Sequence, residues 1–414
     1  MRGRGLALAL ILVQTLTAFG LVSCGSNVLT PGATGDTGNY VKIGLVEPFT
    51  GDSAGLGQGE LNGFYLANRL RPTVLQGQEV RITTLDSQSD QNIASGVAEQ
   101  LVESDKVSIL AGGFNSSVAL PISVVANRKK IPYVSISSTV PQITQNNIWA
   151  YRVCYTDDYQ GRMAAHFVTK QKNPDGTPKY KRIAVTYNSD TYSEGNASFF
   201  KNSVADDLGP DAITYYDFFL TEPPTDLSKD RYFIEDIKRI AATNPDLIFI
   251  PATPKDGANF IEQCQIPEIT KEFPDFHPVF LLTDDAYNPD FLKYGGKKIE
   301  GVYCTTAFYP MDDASDVAKE FIQVYRDYYK DDPDSDAALG FDAYNFICDA
   351  IERAGTTEPN AVRKAMAQTY QFGGVTGSIT MDEKGTPPKP LYVLSVKNGS
   401  FVYEDYIPPE TNED

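Results

Sequence analysis

Two clusters of hydroxyl-bearing residues carry the best prospect of chemistry in this 414-residue chain: Phe114-Asn115-Ser116-Ser117 and Ser135-Ile136-Ser137-Ser138-Thr139. Each involves a short apolar run suited to a buried strand, Val107–Ala111 and Tyr133–Ile136, and the first leads into a helical stretch, Val118–Asn127. Helix capping is one reading, because Asn, Ser and Thr satisfy the free N–H groups of a helix start. A carboxylate cradle is the other. Ligands of an open parallel sheet lie beyond the carboxyl ends of its strands, where free N–H groups and hydroxyls converge. Two clusters on adjacent strand ends favour the cradle.

Other constellations are less productive. Gly55-Leu56-Gly57-Gln58-Gly59 lacks dinucleotide-binding spacing and lies too far beyond a strand ending at Val46. It reads as a loop that admits close backbone approach. Asp332-Pro333-Asp334-Ser335-Asp336 opens like a calcium loop, but Ala337 and Ala343 stand where glycine and glutamate are required. That run reads as a solvated turn. A hydrolase using Ser116 would need a G-x-S-x-G elbow and a partnered histidine, and neither His166 nor His277 has an acid at suitable spacing. Cys154, Cys264, Cys304 and Cys348 form no Cys-x-x-Cys pair, so no metal or other cofactor is expected. Net charge is 36 − 54 = −18, spread along the chain, which disfavours nucleic acid as a partner.

The elements that must position these residues alternate. Strands are expected at Val41–Val46, Glu79–Leu85, Val107–Ala111 and Tyr133–Ile136, with helices at Glu60–Arg69, Asn92–Glu103 and Val118–Asn127. After Tyr151-Arg152-Val153-Cys154 the alternation restarts and runs to Val279–Leu282, with a helix over Ser198–Asp206 among others. Repeated βαβ units imply parallel sheets, and two series imply an α/β chain of two lobes. The C-terminal part differs. It has helices at Val317–Tyr329, Ala337–Ala354 and Ala361–Thr369, a strand at Val375–Thr380, and a hairpin closed by Lys397-Asn398-Gly399.

The N-terminus gives an address. Arg2 and Arg4 precede an apolar stretch from Leu6 to Leu21, as in a secretory signal peptide of residues 1–23. Leu21-Val22-Ser23-Cys24 resembles the bacterial lipobox, in which the cysteine is lipidated and becomes the mature N-terminus. Residues 24–39, rich in Gly, Thr and Asn, read as a flexible linker. The folded body is thus expected outside the cytoplasm, tethered to a membrane by lipid on Cys24.

From about Val41 to Tyr406 the chain resembles the leucine/isoleucine/valine-binding proteins, the extracytoplasmic receptors of amino-acid ABC importers. The marks are Val41-Lys42-Ile43-Gly44-Leu45 with Phe49-Thr50-Gly51, Gly57 and Gly63; Asp86 and Asp90; Tyr151-Arg152 with Asp157 and Gly161; Tyr192-Ser193-Glu194-Gly195; and Phe372-Gly373-Gly374-Val375-Thr376-Gly377-Ser378-Ile379 with Asp382 and Gly385. The resemblance implies the type I periplasmic binding protein fold, two Rossmann-like lobes joined by three crossover strands. Lobe one would hold residues 40–155 and 305–378, and lobe two 156–304 and 379–412. The crossings would fall near Cys154–Asp157, Cys304–Thr306 and Gly377–Asp382, which leaves a disulfide between Cys154 and Cys304 open.

The resemblance also implies roles. Ser116 and Thr139 would give hydroxyl and backbone N–H to a ligand carboxylate, and the Ser137 carbonyl would accept from its ammonium. Asn115, Ser138 and Asp157 belong to the same set. Tyr192 would cover the ligand, and Asp285 would pair with the ammonium, with Asp284 its rival by one register. The side-chain pocket departs from the family: Leu56 replaces a tyrosine, Phe114 a leucine, and Thr253 a second tyrosine. The expected ligand is a small, neutral or branched-chain amino acid, delivered to an ABC permease. A urea- or amide-like compound or an aromatic carboxylate is the alternative.

Overall fold

Strand β1 (Tyr40–Glu47) is buried on both faces through Val41, Ile43, Leu45 and Val46, as the centre of a parallel sheet requires. The computed structural model describes residues 40–51, 53–219, 233–311 and 314–409, so residues 1–23, Cys24 and the linker to residue 39 lie outside the described residues. Around β1 stand β2 (Thr73–Val74), β3 (Gln78–Asp86), β4 (Ile109–Gly112), β5 (Tyr133–Ser135) and β6 (Ala150–Arg152), in the order β2-β3-β1-β4-β5-β6. All pair in parallel except β2. The connecting helices are α1 (Gly57–Leu70), α2 (Gln91–Glu103) and α3 (Ser116–Lys129). Both hydroxyl clusters therefore sit at the carboxyl ends of the neighbouring strands β4 and β5.

The chain then enters a second sheet through α4 (Asp157–Thr169). Its strands are β7 (Ile183–Asn188), β8 (Ile213–Phe219), β9 (Leu247–Ile250), β10 (Val279–Leu282) and β11 (Tyr303–Thr306), all parallel to their neighbours in this set. Helices α5 (Thr191–Leu208), α6 (Ile234–Ala241), α7 (Pro254–Cys264), α8 (Pro267–Glu272) and α9 (Pro289–Gly295) flank them. Phe200 stacks on Phe249 with ring centroids 4.0 Å apart, closing one face of this sheet.

After β11 the chain returns to the first sheet's side with α10 (Asp316–Tyr329), α11 (Ser335–Ala354) and α12 (Pro359–Ala367). Helix α11 lies directly on α1. A Cβ on Gly63 would come within 1.8 Å of the Ala337 carbonyl oxygen, so only glycine permits this approach. A short antiparallel ribbon, β12 (Phe372–Gly374) and β13 (Gly377–Ile379), follows, and β14 (Leu391–Lys397) and β15 (Ser400–Ile407) complete the second sheet in the order β15-β14-β11-β10-β9-β7-β8.

Two expectations are corrected here, and one pairing left open is answered. The single strand at Val375–Thr380 is instead the ribbon, because the Val375 and Thr376 N–H groups donate to the buried Asp342 carboxylate at 2.6 and 2.9 Å and cannot join a ladder. The last crossing falls beyond Gly377–Asp382. Met381 N–H donates to Thr369 and Arg152 N–H to Gly385, both at 3.0 Å, so the segment stays beside the first sheet until Leu391. Cys154 and Cys304 are not bridged: both are free and buried, as are Cys264 and Cys348.

Candidate functional site

The carboxyl ends of the two sheets face a shared cleft of about 630 Å³. Its wall includes Leu56, Phe114, Asn115, Ser116, Ser137, Ser138, Thr139, Tyr192, Thr253 and Asp285, every ligand position expected from sequence except Asp157.

On the first lobe the approach is set by Gly112 and Gly113, with φ of 93° and 84°, which turn the chain sharply after β4. Asn115 occupies the N-cap of α3 without a side-chain cap bond, and its Nδ2 donates instead to Ser53 Oγ at 2.8 Å. Capping therefore does not explain this cluster. The start of α3 stays open to an anion, with Ser116 at its first position. The second cluster is held by internal bonds. Ser138 Oγ lies 2.5 Å from the Gly113 carbonyl and 2.7 Å from that of Phe114, stapling the two loops together. Arg152, wholly buried, donates to the carbonyls of Ser138 at 3.1 Å and Val140 at 2.8 Å. Ser137 Oγ donates to Glu60.

Thr139 departs from its expected role. Its Oγ1 donates to Asp157 Oδ1 at 2.5 Å, so the hydroxyl proton is committed and the backbone N–H is what remains for a ligand carboxylate. Asp157 itself sits behind the wall and not on it. It is fully buried at the start of α4 and also accepts from Asn196 Nδ2 at 2.9 Å, while Oδ2 has no partner. Burial pushes its carboxyl up to about 8, against hydrogen bonding from Thr139 and the nearby Arg152 charge. An acid whose native pKa is raised holds its proton in the fold, so its contribution to stability is present at low pH and lost as pH rises through about 8. At about 1.4 kcal/mol per pH unit, some 2–3 kcal/mol should disappear between pH 6 and 9. Asp157→Asn, which cannot ionise, should flatten that part of the profile. Urea denaturation of both proteins at the two pH values measures it, and parallel profiles would contradict the assignment.

On the second lobe Asp190 caps α5, accepting from Ser193 N–H at 2.9 Å, and so starts the helix at Thr191, ahead of the expected Ser198. Tyr192 is thereby placed in the first turn, and its hydroxyl donates to Asp284 Oδ1. Asp284 also accepts from Gln160 Nε2 at 2.8 Å and Tyr155 Oη at 3.0 Å. Three donors occupy it. Asp285 has no such partners among the described residues and lines the cleft; burial, then the charges of Asp284, Asp190 and Asp157, raise its carboxyl well above the usual range. Thr253 caps α7, where its Oγ1 accepts from Asp256 N–H at 3.3 Å.

One sequence expectation fails at the site. Asp332–Asp336 is not simply a solvated turn: Asp334 caps α11, accepting from Ala337 N–H at 2.7 Å, and Ser335 and Asp336 line the cleft. The usable signal was the switch from acids to the apolar pattern of Ala337–Ala354, which marks a helix start. A turn motif alone does not say that this start is brought against α1. Among the described residues no group of His, Cys, Asp and Glu is arranged to hold a metal ion, and no helix is long and apolar enough to cross a membrane.

A chain of two open α/β sheets with a cleft between their carboxyl ends has the architecture of a type I periplasmic binding protein. The periplasmic binding protein family profile matches residues 40–400, and the chain belongs to that family. It is similar to the Leu/Ile/Val-binding protein homolog 1 of Brucella abortus, 26% identical over 357 residues, covering 86% of this chain and 89% of that one. The structure of the leucine-binding protein LivK of Thermotoga maritima superposes with a TM-score of 0.79 at 32% identity, over 89% of this chain and 99% of that one. A solute-binding protein of an ABC transporter from R. palustris, in complex with benzoate, shares the fold with a TM-score of 0.76 at 19% identity, over 90% and 98% of the two chains.

Proposed function

We propose that this protein is the lipid-anchored, non-enzymatic receptor of an ABC importer, which closes its lobes on a small α-amino acid and delivers it to the permease. The observation that carries the reading is the polarity of the cleft: the uncapped start of α3 with Ser116 on one wall, and the unpartnered Asp285 carboxylate on the other. A zwitterion complements both at once. A hydrogen bond to a charged terminus contributes about 1.5–3 kcal/mol net, so a few of them reach micromolar affinity after the cost of closure. Hinge closure supplies the difference that a permease reads. Benzoate, bound by a relative of the same fold, would offer Asp285 no cation, whereas an ammonium there favours the ionised carboxylate. The proposed position is extracytoplasmic, with Cys24 as the lipid-bearing residue after removal of residues 1–23.

A thermal-shift screen against all amino acids, urea and simple carboxylates tests the ligand class, since a ligand that binds only the native state raises stability as ln(1 + [L]/Kd). The largest shift should come from an α-amino acid. A larger shift from benzoate or urea would reverse the assignment. Separately, mass spectrometry of the mature N-terminus should find acylated Cys24 in the wild type and none in Cys24→Ser. An unmodified wild-type terminus would remove the anchor.

A further inference from the structure

The cleft holds more carboxyl groups than one α-ammonium requires. Asp190 is bonded to Ser193 N–H, and Asp256 accepts from Asn188 at 2.9 Å and Thr253 at 3.1 Å. Asp284 has its three donors, and Asp290 lies 3.5 Å from Lys293. Two wall carboxylates remain without a hydrogen bond or ion pair among the described residues: Asp285 on the second lobe and Asp336 on the first. Lys255 is the cation that the described wall presents, and it lies on the second lobe beside Asp256.

Behind Asp336 the imbalance deepens. Glu60, fully buried on α1, accepts from the wall residue Ser137 through Oε1 and shares a hydrogen bond with the Glu47 carboxyl. Glu47 is also fully buried, and burial, then the Glu60 charge and the hydrogen bond to Glu60, raise its carboxyl well above the usual range. No Lys or Arg lies within ion-pair distance of Glu47, Glu60, Asp334 or Asp336 among the described residues. Carboxyls crowded in this way hold protons while the cleft is empty, and a cation placed among them favours their ionised forms. Asp336 feels Asp334, Glu60 and Asp285 together, and burial and those charges raise its carboxyl well above the usual range. An apolar side chain placed here would desolvate Asp336 with nothing in return.

We infer that the ligand carries a second cationic group, as an ω-amino α-amino acid does, with Asp285 on the α-ammonium and Asp336, backed by Glu60, on the side-chain cation. The inference rests on the amino-acid reading above and narrows it. Lysine and norleucine, matched in chain length but differing in the terminal ammonium, are the probes, with ornithine and leucine beside them. Isothermal titration of the full-length protein should find lysine or ornithine at least about tenfold tighter than norleucine, a difference of about 1.4 kcal/mol. Asp336→Asn should weaken lysine by about tenfold or more and strengthen norleucine, because the carboxylate that norleucine desolvates is gone. Glu60→Gln, which keeps the Ser137 contact, should weaken lysine in the same direction, and a thermal melt of each variant checks that it is folded.

Norleucine binding as tightly as lysine in the wild type would overturn the second cation while leaving an amino-acid receptor standing. Equal weakening of lysine and norleucine by Asp336→Asn would place Asp336 on the α-ammonium and overturn the assignment too. Failure of all four amino acids to bind would overturn the amino-acid reading itself, and this inference with it.

Discussion

Asp285→Ala should lower affinity for the amino-acid ligand by at least about a hundredfold. In the closed cleft the substitution leaves an ammonium enclosed without its counter-ion, and breaking such a buried pair costs ~3–5 kcal/mol. Ligand-free stability should move the other way. The Asp285 carboxyl is disfavoured by burial and by the charges of Asp284, Asp190 and Asp157, so its removal relieves the empty protein. Asp284→Ala has the converse profile. Asp284 accepts from Tyr155, Gln160 and Tyr192, and its loss takes an acceptor from each at about 1–3 kcal/mol at most, with Gln160 Nε2 keeping Thr305 Oγ1 at 3.1 Å. The first variant is thus a binding mutant with an intact or stabilised fold, and the second a destabilised protein. Isothermal titration and a thermal melt of both separate them. Equal, small losses of affinity in the two would mean that neither acid meets an ammonium.

The choice between these adjacent acids was not available from sequence, and the reason is physical. Register along a short turn after β10 decides which carboxylate points inward, and that depends on Gln160 and Tyr192, more than 90 residues away along the chain. Local patterns fared better where local physics decides. Strands β1 and β10 have buried apolar runs of the kind a parallel sheet accommodates, and the expected Val41–Val46, Glu79–Leu85 and Val279–Leu282 match β1, β3 and β10 within a residue or so. Strand-end hydroxyl clusters were legible as a wall because topology puts the ends of β4 and β5 side by side.

Roles within that wall were less legible. Thr139 reads as a hydroxyl donor until Asp157 claims its proton, and Asp157 reads as a ligand position until its burial behind the wall is seen. Asp336 was hidden for a different reason. An acidic stretch before a helix normally faces solvent and complements the helix start, and only the packing of α11 on α1 through Gly63 brings it to the cleft. Long-range packing, which no window of sequence contains, settled each of these.

The same kind of packing predicts the largest effect on stability. Asp342, buried in α11, accepts from Val375 N–H at 2.6 Å, Thr376 N–H at 2.9 Å and Thr376 Oγ1 at 2.6 Å. Lys389, equally buried, donates to Thr376 Oγ1 at 2.6 Å and stands 3.9 Å from Asp342 Oδ2. One carboxylate thus ties the β12–β13 ribbon, and the segment that leads back to the second sheet, to the helix layer of the first lobe. Burial lowers the Lys389 pKa while the Asp342 charge supports it. Asp342→Ala removes the acceptor of two buried N–H groups and isolates a buried ammonium, so it should cost ~3–5 kcal/mol. Lys389→Met should cost less than half as much, because the carboxylate keeps three donors and the new side chain is apolar and of similar length. Denaturant midpoints of the two variants test the order. If Lys389→Met proves the more damaging, charge pairing and not the capture of ribbon N–H groups holds this junction, and Asp342→Asn should then be as destabilising as Asp342→Ala.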